Sequence, residues 1–307
     1  MAQIRRWGGE YVDKRNWREY NESLVRRGEI LLDFSVLDEW KEELGKMNEG
    51  KEGARFEYPE PFMRLLAYLH VFFHLPYRQE EGFVKALSRH IDGLKAPDWS
   101  SIHKRVNRMD FELVGVKTDQ PISIAIDSSG IKVSNSGDWI RKKWKVKKGY
   151  LKIHLAVDPS SKECVSIEVT KEDVHDNKEF KPLVEDAMSK NNVERVYGDG
   201  AYDARTNFNL LDANGIDAAI KVRKNAVPKA KGSYTRKLAV MEQQKDFDAW
   251  KEEKCYGDRW SVEGAFSAIK RIFGEYVSAK EFVNMAKEMT IKASLYNLFM
   301  RMTTGRG

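Results

Sequence analysis

Cysteine is nearly absent from this chain of 307 residues. Cys164 and Cys255 lie far apart and fall in no ligand-like spacing, which excludes a disulfide framework and a thiolate metal cluster and leaves two incidental, reduced thiols. Long apolar runs are missing too. The longest, L-L-A-Y-L-H-V-F-F-H-L from Leu65 to Leu75, is half of the roughly 20 residues that a helical membrane span needs. No charged-then-apolar segment opens the sequence, so the expected location is cytoplasmic, with no membrane partner. Internal repeats and long disordered tracts are also lacking. What remains is the composition of a globular protein, 41% hydrophobic and 33% charged. Its length suits one large domain or two ordinary ones with a substantial core.

The first 118 residues carry no excess of either charge, with 20 Lys and Arg against 20 Asp and Glu. The whole formal net charge of +6 therefore comes from residues 119–307. Two stretches concentrate it. Ile131 to His154 sets eight cations against Asp138 alone, with Arg141, Lys142, Lys143, Lys145, Lys147 and Lys148 crowded together, and Lys221 to Lys237 holds seven cations and no acid. Trp139, Trp144, Tyr150 and Tyr234 are interleaved with them. Cations neutralise phosphates and aromatic rings stack on bases, so these stretches suit a nucleic acid; two solvated loops are the plainer alternative.

Texture changes near residue 118. Residues 1–118 read as a mostly helical N-terminal region: E-P-F-M-R-L-L-A-Y-L-H-V-F-F-H-L has helical apolar spacing up to Pro76, and Q-E-E-G-F-V-K-A-L-S-R-H follows. Past the turn I-D-G-L-K-A-P, Asp98 or Ser100 can cap a helix bearing His103, Lys104, Arg105 and Arg108. Two helices about a glycine-containing turn, the second basic, resemble a DNA-end-binding helix-turn-helix contacting DNA through Arg105 and Arg108, though the turn is longer than the tight form. Residues 119–307 read as an α/β domain. P-I-S-I-A-I-D-S-S-G-I-K-V, G-Y-L-K-I-H-L-A-V-D-P and E-C-V-S-I-E-V-T predict three strands in a meander, the last two joined by a turn at Asp158–Ser161. Helix and strand then alternate through V-E-R-V-Y-G-D and I-D-A-A-I-K-V. The class expected is a mixed sheet flanked by helices, with a basic insertion near 223–258.

The segment Y-G-D-R-W-S-V-E-G-A-F-S-A-I-K-R-I-F-G, Tyr256 to Gly274, predicts an amphipathic helix. Arg259, Glu263 and Lys270 stand four and then seven residues apart and share one face. Val262, Phe266, Ile269 and Phe273 repeat that rhythm as the buried stripe. A carboxylate between two cations reads as a solvated ion-pair row, or as a metal-binding acid flanked by phosphate clamps. Two other acids, Asp127 after I-S-I-A-I and Asp199 after V-E-R-V-Y-G, are expected at strand ends. Each alone reads as a turn residue before Ser128-Ser129-Gly130 or Gly200. Together with Glu263 they can hold two Mg²⁺ (or Mn²⁺) ions, hard cations that take oxygen ligands and serve phosphoryl transfer by in-line displacement. Ser128 and His175, the latter in His175-Asp176-Asn177, are candidates for supporting positions. Asp203 is expected to cap the helix after it, His154 to be a packed or phosphate-contacting residue among strand residues rather than a ligand, and the zinc-compatible pair His70 and His74 to belong to the core.

These residues carry a resemblance. Asp127, Asp199 and Glu263 resemble the Asp-Asp-Glu (DDE) triad of insertion-sequence transposases, and Tyr256-x2-Arg259-x3-Glu263-x6-Lys270 is similar to the Tyr-Arg-Glu-Lys signature of the insertion-sequence four and five superfamily. A-I-D-S-S-G resembles that family's first-Asp motif, K-G-Y-L-K-I-H-L-A-V-D the strand after it, and V-Y-G-D-G-A-Y-D the second-Asp motif. Y-N-E-S-L-V-R-R-G and L-P-Y-R-Q-E-E-G-F extend the likeness into the N-terminal region, so it spans nearly the whole chain. The resemblance implies a ribonuclease-H-like fold and two divalent cations at the three acids. It also implies hydrolysis that frees a 3′-OH at each element end, and attack of that hydroxyl on target DNA. Tyr256, Arg259 and Lys270 would contact double-stranded DNA, and an oligomer, at least a dimer on DNA, is implied in the nucleoid of a prokaryotic cell. Two alternatives stay open: a ribonuclease-H-like nuclease that cuts without joining, and a domesticated DNA-binding protein that no longer cleaves, against which the intact triad argues.

Overall fold

The computed structural model describes residues 3–4, 10–11, 16–29, 31, 35–115, 118–133 and 150–304. Two short strands, β1 (Gln3–Ile4) and β2 (Glu10–Tyr11), pair antiparallel. Five helices follow among the described residues: α1 (Trp17–Glu29), α2 (Trp40–Asn48), α3 (Glu60–Phe73), α4 (Tyr77–Leu87) and α5 (Trp99–Arg108). Their boundaries follow local chemistry. Pro61 lies in the first turn of α3, where a missing N–H does no harm, and His74 ends that helix in the left-handed region just before Pro76. Asp98 caps α5, accepting from the Ser100 and Ser101 N–H groups. The span from 88 to 98 separates α4 from α5.

The remainder builds a mixed sheet. β3 (Ile122–Val133), β4 (Tyr150–Val157) and β5 (Cys164–Lys171) form the antiparallel meander. After α6 (Asp176–Lys190) come β6 (Val193–Gly198), α7 (Arg205–Ala213) and β7 (Asp217–Ile220). α8 (Tyr234–Lys245), α9 (Phe247–Glu253) and a 3₁₀ turn (Tyr256–Arg259) lead into α10 (Trp260–Phe273), β8 (Tyr276–Val277) and α11 (Phe282–Thr304). The strand order is β5-β4-β3-β6-β7, with β6 and β7 parallel to β3 and β8 paired to its far end. Asp158 turns the β4–β5 hairpin as expected, its carboxylate accepting from the Ser160 and Ser161 N–H groups.

β3 sits at the centre and is apolar on both faces, as a strand covered on both sides must be. Ile122, Ile124 and Ile126 point into one core with Phe180, Leu183, Phe208 and Leu211 from α6 and α7. Ala125 and Ile131 point to the other face, against a larger core shared by α3, α10 and α11. There Phe273 stacks on Phe299 at 6.1 Å, and Phe72 of α3 meets both edge-on. One apolar core thus joins the N-terminal helices to the sheet. Val262, Phe266, Ile269 and Phe273, the expected stripe, are all buried in it. Fully burying a side chain of this kind contributes about 1.5–3 kcal/mol.

One expectation needs correction. β3 does not end at Asp127: it continues through Ser128, Ser129 and Gly130, which pair with His154, Ile153 and Lys152. The apolar run stops at the acid, whereas the backbone ladder is indifferent to that change of side chain. Asp127 is therefore a mid-strand residue facing α10. Among the described residues no helix is long and apolar enough to cross a membrane.

Candidate active site

The parallel register of β3 and β6 pairs Ala125 with Tyr197. Two residues further along each strand stand Asp127 and Asp199, so the two acids leave the sheet at the same level. Asp127 shares the face of Ala125 and accepts from the Ser128 N–H at 2.8 Å. Asp199 follows the last residue of β6 and starts a 3₁₀ turn (Gly200–Tyr202), its carboxylate accepting from the Ala201 N–H at 2.8 Å.

α10 brings the third acid over β3. Arg259, in the turn before the helix, reaches Glu263 with Nη2 at 2.8 Å and Asp127 with Nη1 at 3.5 Å. Its side chain is only 11% exposed, so this guanidinium is a shielded cation held between two carboxylates. Lys270, two turns on, donates from Nζ to Ser129 Oγ at 2.7 Å. The helix is therefore fastened to β3 at both ends of its polar face, with Glu263 between the two fastenings. The face read from the sequence as Arg-Glu-Lys is real, but its cations turn to β3 rather than outward.

Burial and neighbouring acids both favour the neutral form of Asp127. Burial first, with the charges of Asp199 and Glu263 adding to it, pushes its carboxyl up to about 6 against the pull of the Ser128 N–H and Arg259. Asp199 and Glu263 are thus both close enough for their charges to act on Asp127. Among the described residues no three His, Cys, Asp or Glu side chains close into a shell around a metal ion. The donors nevertheless fit a divalent cation in kind. They are hard oxygens, they repel one another, and two of them already share a positive group.

Tyr256, for which the resemblance implies a DNA contact, is buried in the protein without DNA. It is 7% exposed, packed on Trp250 with ring centroids 5.0 Å apart. Its hydroxyl donates to the Gly198 carbonyl at 3.0 Å, an oxygen that also accepts from the Lys221 N–H. It anchors the strand end from which Asp199 projects. Asp203 is a second correction. α7 begins at Arg205 with Ala204 at its cap, and the buried Asp203 carboxylate instead takes both Arg236 Nε and Nη2 at 2.6 and 2.8 Å, and the Arg223 N–H. A bidentate guanidinium outcompetes a helix end for a buried acid. Asp203 so ties the second basic stretch to the Asp199 turn, where Arg223 also donates to the Gly200 carbonyl.

The remaining predicted residues divide. Arg141, Lys142, Lys143, Lys145, Lys147 and Lys148 lie outside the described residues, as do Trp139 and Trp144. Of the α5 cations, Arg105 stacks on Phe56 at 4.3 Å and Arg108 is exposed. Ser128 supports Asp127 through its backbone N–H. His175 is exposed at the start of α6, and its side chain makes no cap bond. Its neighbour Asp176 faces inward, accepting from Lys152 at 3.1 Å with His154 Nδ1 at 3.9 Å. His154 is packed as expected, fully buried and bonded to Thr170, and burial lowers its pKa to about 4. His70 belongs to the core edge, stacked on Tyr77 and bonded to the Leu75 carbonyl. Tyr202, the second tyrosine of the motif V-Y-G-D-G-A-Y-D, has no role read from the sequence and lies wholly buried in the turn that Asp199 starts.

Two family models match this chain. Residues 119–298 match one described as transposase DDE domain, and residues 25–136 match a second with the same description. A solved piggyBac transposase synaptic complex with hairpin DNA is similar over 93% of this chain and 76% of that one, at 10% identity and a TM-score of 0.38. That likeness is too loose for residue-by-residue equivalence.

Proposed function

This chain belongs to the transposase DDE-domain family, and we propose that it is an insertion-sequence DNA transposase of the four and five superfamily, ribonuclease-H-like in its catalytic fold, with Asp127, Asp199 and Glu263 as its catalytic acids. The observation that carries this reading is Arg259 held between Asp127 of β3 and Glu263 of α10, beside the neighbouring strand that ends at Asp199. When bound at these acids, two Mg²⁺ or Mn²⁺ ions supply activation of an attacking oxygen and stabilisation of the leaving one. The chain's own residues do the rest. Asp127 and Asp199 hold a fixed separation because their strands are hydrogen-bonded neighbours. Glu263 is held over them by the fastenings of α10 at Arg259 and Lys270. Arg259 ties Asp127 to Glu263, and to contact a DNA phosphate, as the resemblance implies, its planar fork would have to exchange those oxygens for the phosphate's. Tyr256 keeps the Asp199 strand end in register.

The double-stranded DNA substrate would be cut to free a 3′-OH at each element end, and that hydroxyl would then attack target DNA. The basic surface of Lys221–Lys237 and the cations of Arg141–Lys148 suit backbone phosphates in any sequence, while the helical region to residue 118 is the candidate for end recognition. Action on paired ends calls for at least a dimer on DNA. Nicking of labelled DNA carrying the element's own ends tests the reading. Wild type should nick in Mg²⁺ or Mn²⁺ and not in chelator, and Asp199→Asn and Glu263→Gln should bind DNA without cutting it. Cleavage that survives in both variants would move the chemistry to other residues.

A further inference from the structure

α1 is fastened to α11 along one edge. Its one buried residue is Ser23, and Arg27 donates to the Phe299 carbonyl at 3.4 Å and to Thr303 Oγ1 at 2.6 Å. A second face of the helix is apolar and open. Trp17 is 52% exposed, Leu24 42% and Val25 62%. At about 100° per residue, Trp17, Leu24 and Gly28 fall on one line, with Asn21 and Val25 beside it. From Asn21 to Gly28 this face runs through Y-N-E-S-L-V-R-R-G, a motif to which the catalytic acids give no role.

Gly28 is the odd member of the stripe. Glycine weakens a helix relative to alanine, and the single copy draws no benefit from it. Gly28 is not among the glycines at positive φ, and an added Cβ would meet nothing within 4 Å. Against a second α1 running the opposite way about a two-fold axis, however, the face is its own complement. Let the axis lie level with the middle of the helix, between Ser23 and Leu24. Arg18 and Glu29 then stand equally far to either side of it. Both are exposed and share one flank of the stripe, so each Arg18 meets the second copy's Glu29. Leu24 meets its own copy near the axis. Trp17, an anchor of the kind that dominates such seams, comes opposite the last turn, where Gly28 offers no side chain. Cation faces acid and large faces small, twice over by symmetry.

We infer that α1 is a homodimer interface, in which the Trp17–Leu24–Val25 face of one copy packs antiparallel on the same face of a second. The dimer that paired ends call for then forms before DNA is bound, and its surface does not depend on the assignment of the acids. One helix of 13 residues from each copy is small beside the roughly 1,600 Å² of a standard interface. The contact is therefore weak by itself and gains when both copies hold one DNA.

Sedimentation velocity of the full chain, without DNA or metal, tests this. Wild type should pass from monomer to dimer between about 1 and 100 μM. Arg18→Glu and Glu29→Arg each set like charges across the seam, and each alone should weaken the dimer about tenfold or more. Mixed in equal amounts, the two variants should recover it, because each supplies the charge the other lacks. Gly28→Leu should also dissociate the dimer, yet unfold at or above the wild-type temperature at concentrations where both are monomers. Wild type that stays monomeric throughout, or a dimer that these variants leave intact, would overturn the interface. Variants that dissociate but do not recover on mixing would overturn the antiparallel pairing. No DNA is cut in this measurement, so its failure leaves the proposed activity standing.

Discussion

Asp127→Asn is expected to make the metal-free protein more stable at pH 8 and to leave it nearly unchanged near pH 4. The folded protein raises this carboxyl from an ordinary 3.8 to about 6. A raised carboxyl favours folding while it is protonated, so its contribution is complete below about pH 3.8 and is lost as pH rises through 6. At 1.36 kcal/mol per pH unit the loss amounts to about 3 kcal/mol. The side chain is 24% exposed, and solvent screening trims the figure to about 2 kcal/mol. Asparagine keeps an acceptor for the Ser128 N–H and removes the repulsion from Asp199 and Glu263, while giving up the ion pair with Arg259 at 3.5 Å. With about 2 cal/mol/K of unfolding entropy per residue over 307 residues, that corresponds to a midpoint about 3 °C higher. Calorimetry of both proteins in chelator, from pH 4 to 8, should show a gap that opens between pH 4 and 6.5 and is flat above 7. Mn²⁺ should then close or reverse the gap by stabilising wild type alone. A gap independent of pH, or a variant less stable at pH 8, would refute the account of Asp127 as an acid whose charge is opposed first by burial and then by its acidic neighbours.

Three further outcomes are expected. Replacing Lys229, Lys231 and Lys237 with alanine should weaken DNA binding equally for all sequences and flatten the salt dependence by about 0.9 for each phosphate no longer neutralised; an unchanged slope would free this surface from DNA. Tyr256→Phe removes one of two donors to the Gly198 carbonyl, which should lower stability by about 1 kcal/mol and slow cleavage more than it weakens DNA binding. The opposite ordering in a binding and single-turnover comparison would make the tyrosine a DNA contact after all. Gly274→Ala should cost about 1–3 kcal/mol, because Gly274 closes α10 at a φ of +79° and an added Cβ would lie 3.1 Å from the Tyr276 ring; an unaltered unfolding midpoint would show that this turn relaxes freely.

Periodicity makes the meander, the later alternation of helix and strand and the buried stripe of α10 readable, because each depends on apolar spacing within one element. The Asp98 cap and the Asp158 turn are legible for the same reason, since both are closed by bonds to the next two or three residues. Misreadings arise where distant partners decide. Asp203 sits where a cap belongs, yet Arg236 takes its carboxylate from 33 residues away. Asp127 is misplaced at a strand end because a charge interrupts an apolar run without interrupting a ladder. Arg259, Glu263 and Lys270 can be put on one face by counting, but what that face meets, Asp127 and Ser129, is fixed by the docking of α10 on the sheet.

The assembly of the site also has an order in time. Asp127 and Glu263 are 136 residues apart in the chain, and β3 completes its pairing with β8 only through Lys132 and Val133, opposite Tyr276 and Val277. At about 5–20 residues per second of synthesis, the first acid waits about 7–27 s on the ribosome for the third. α11, whose Met289, Leu295 and Phe299 share the core beneath α10, emerges later still. A nascent chain that has made its first two acids therefore cannot yet present the third on a finished support.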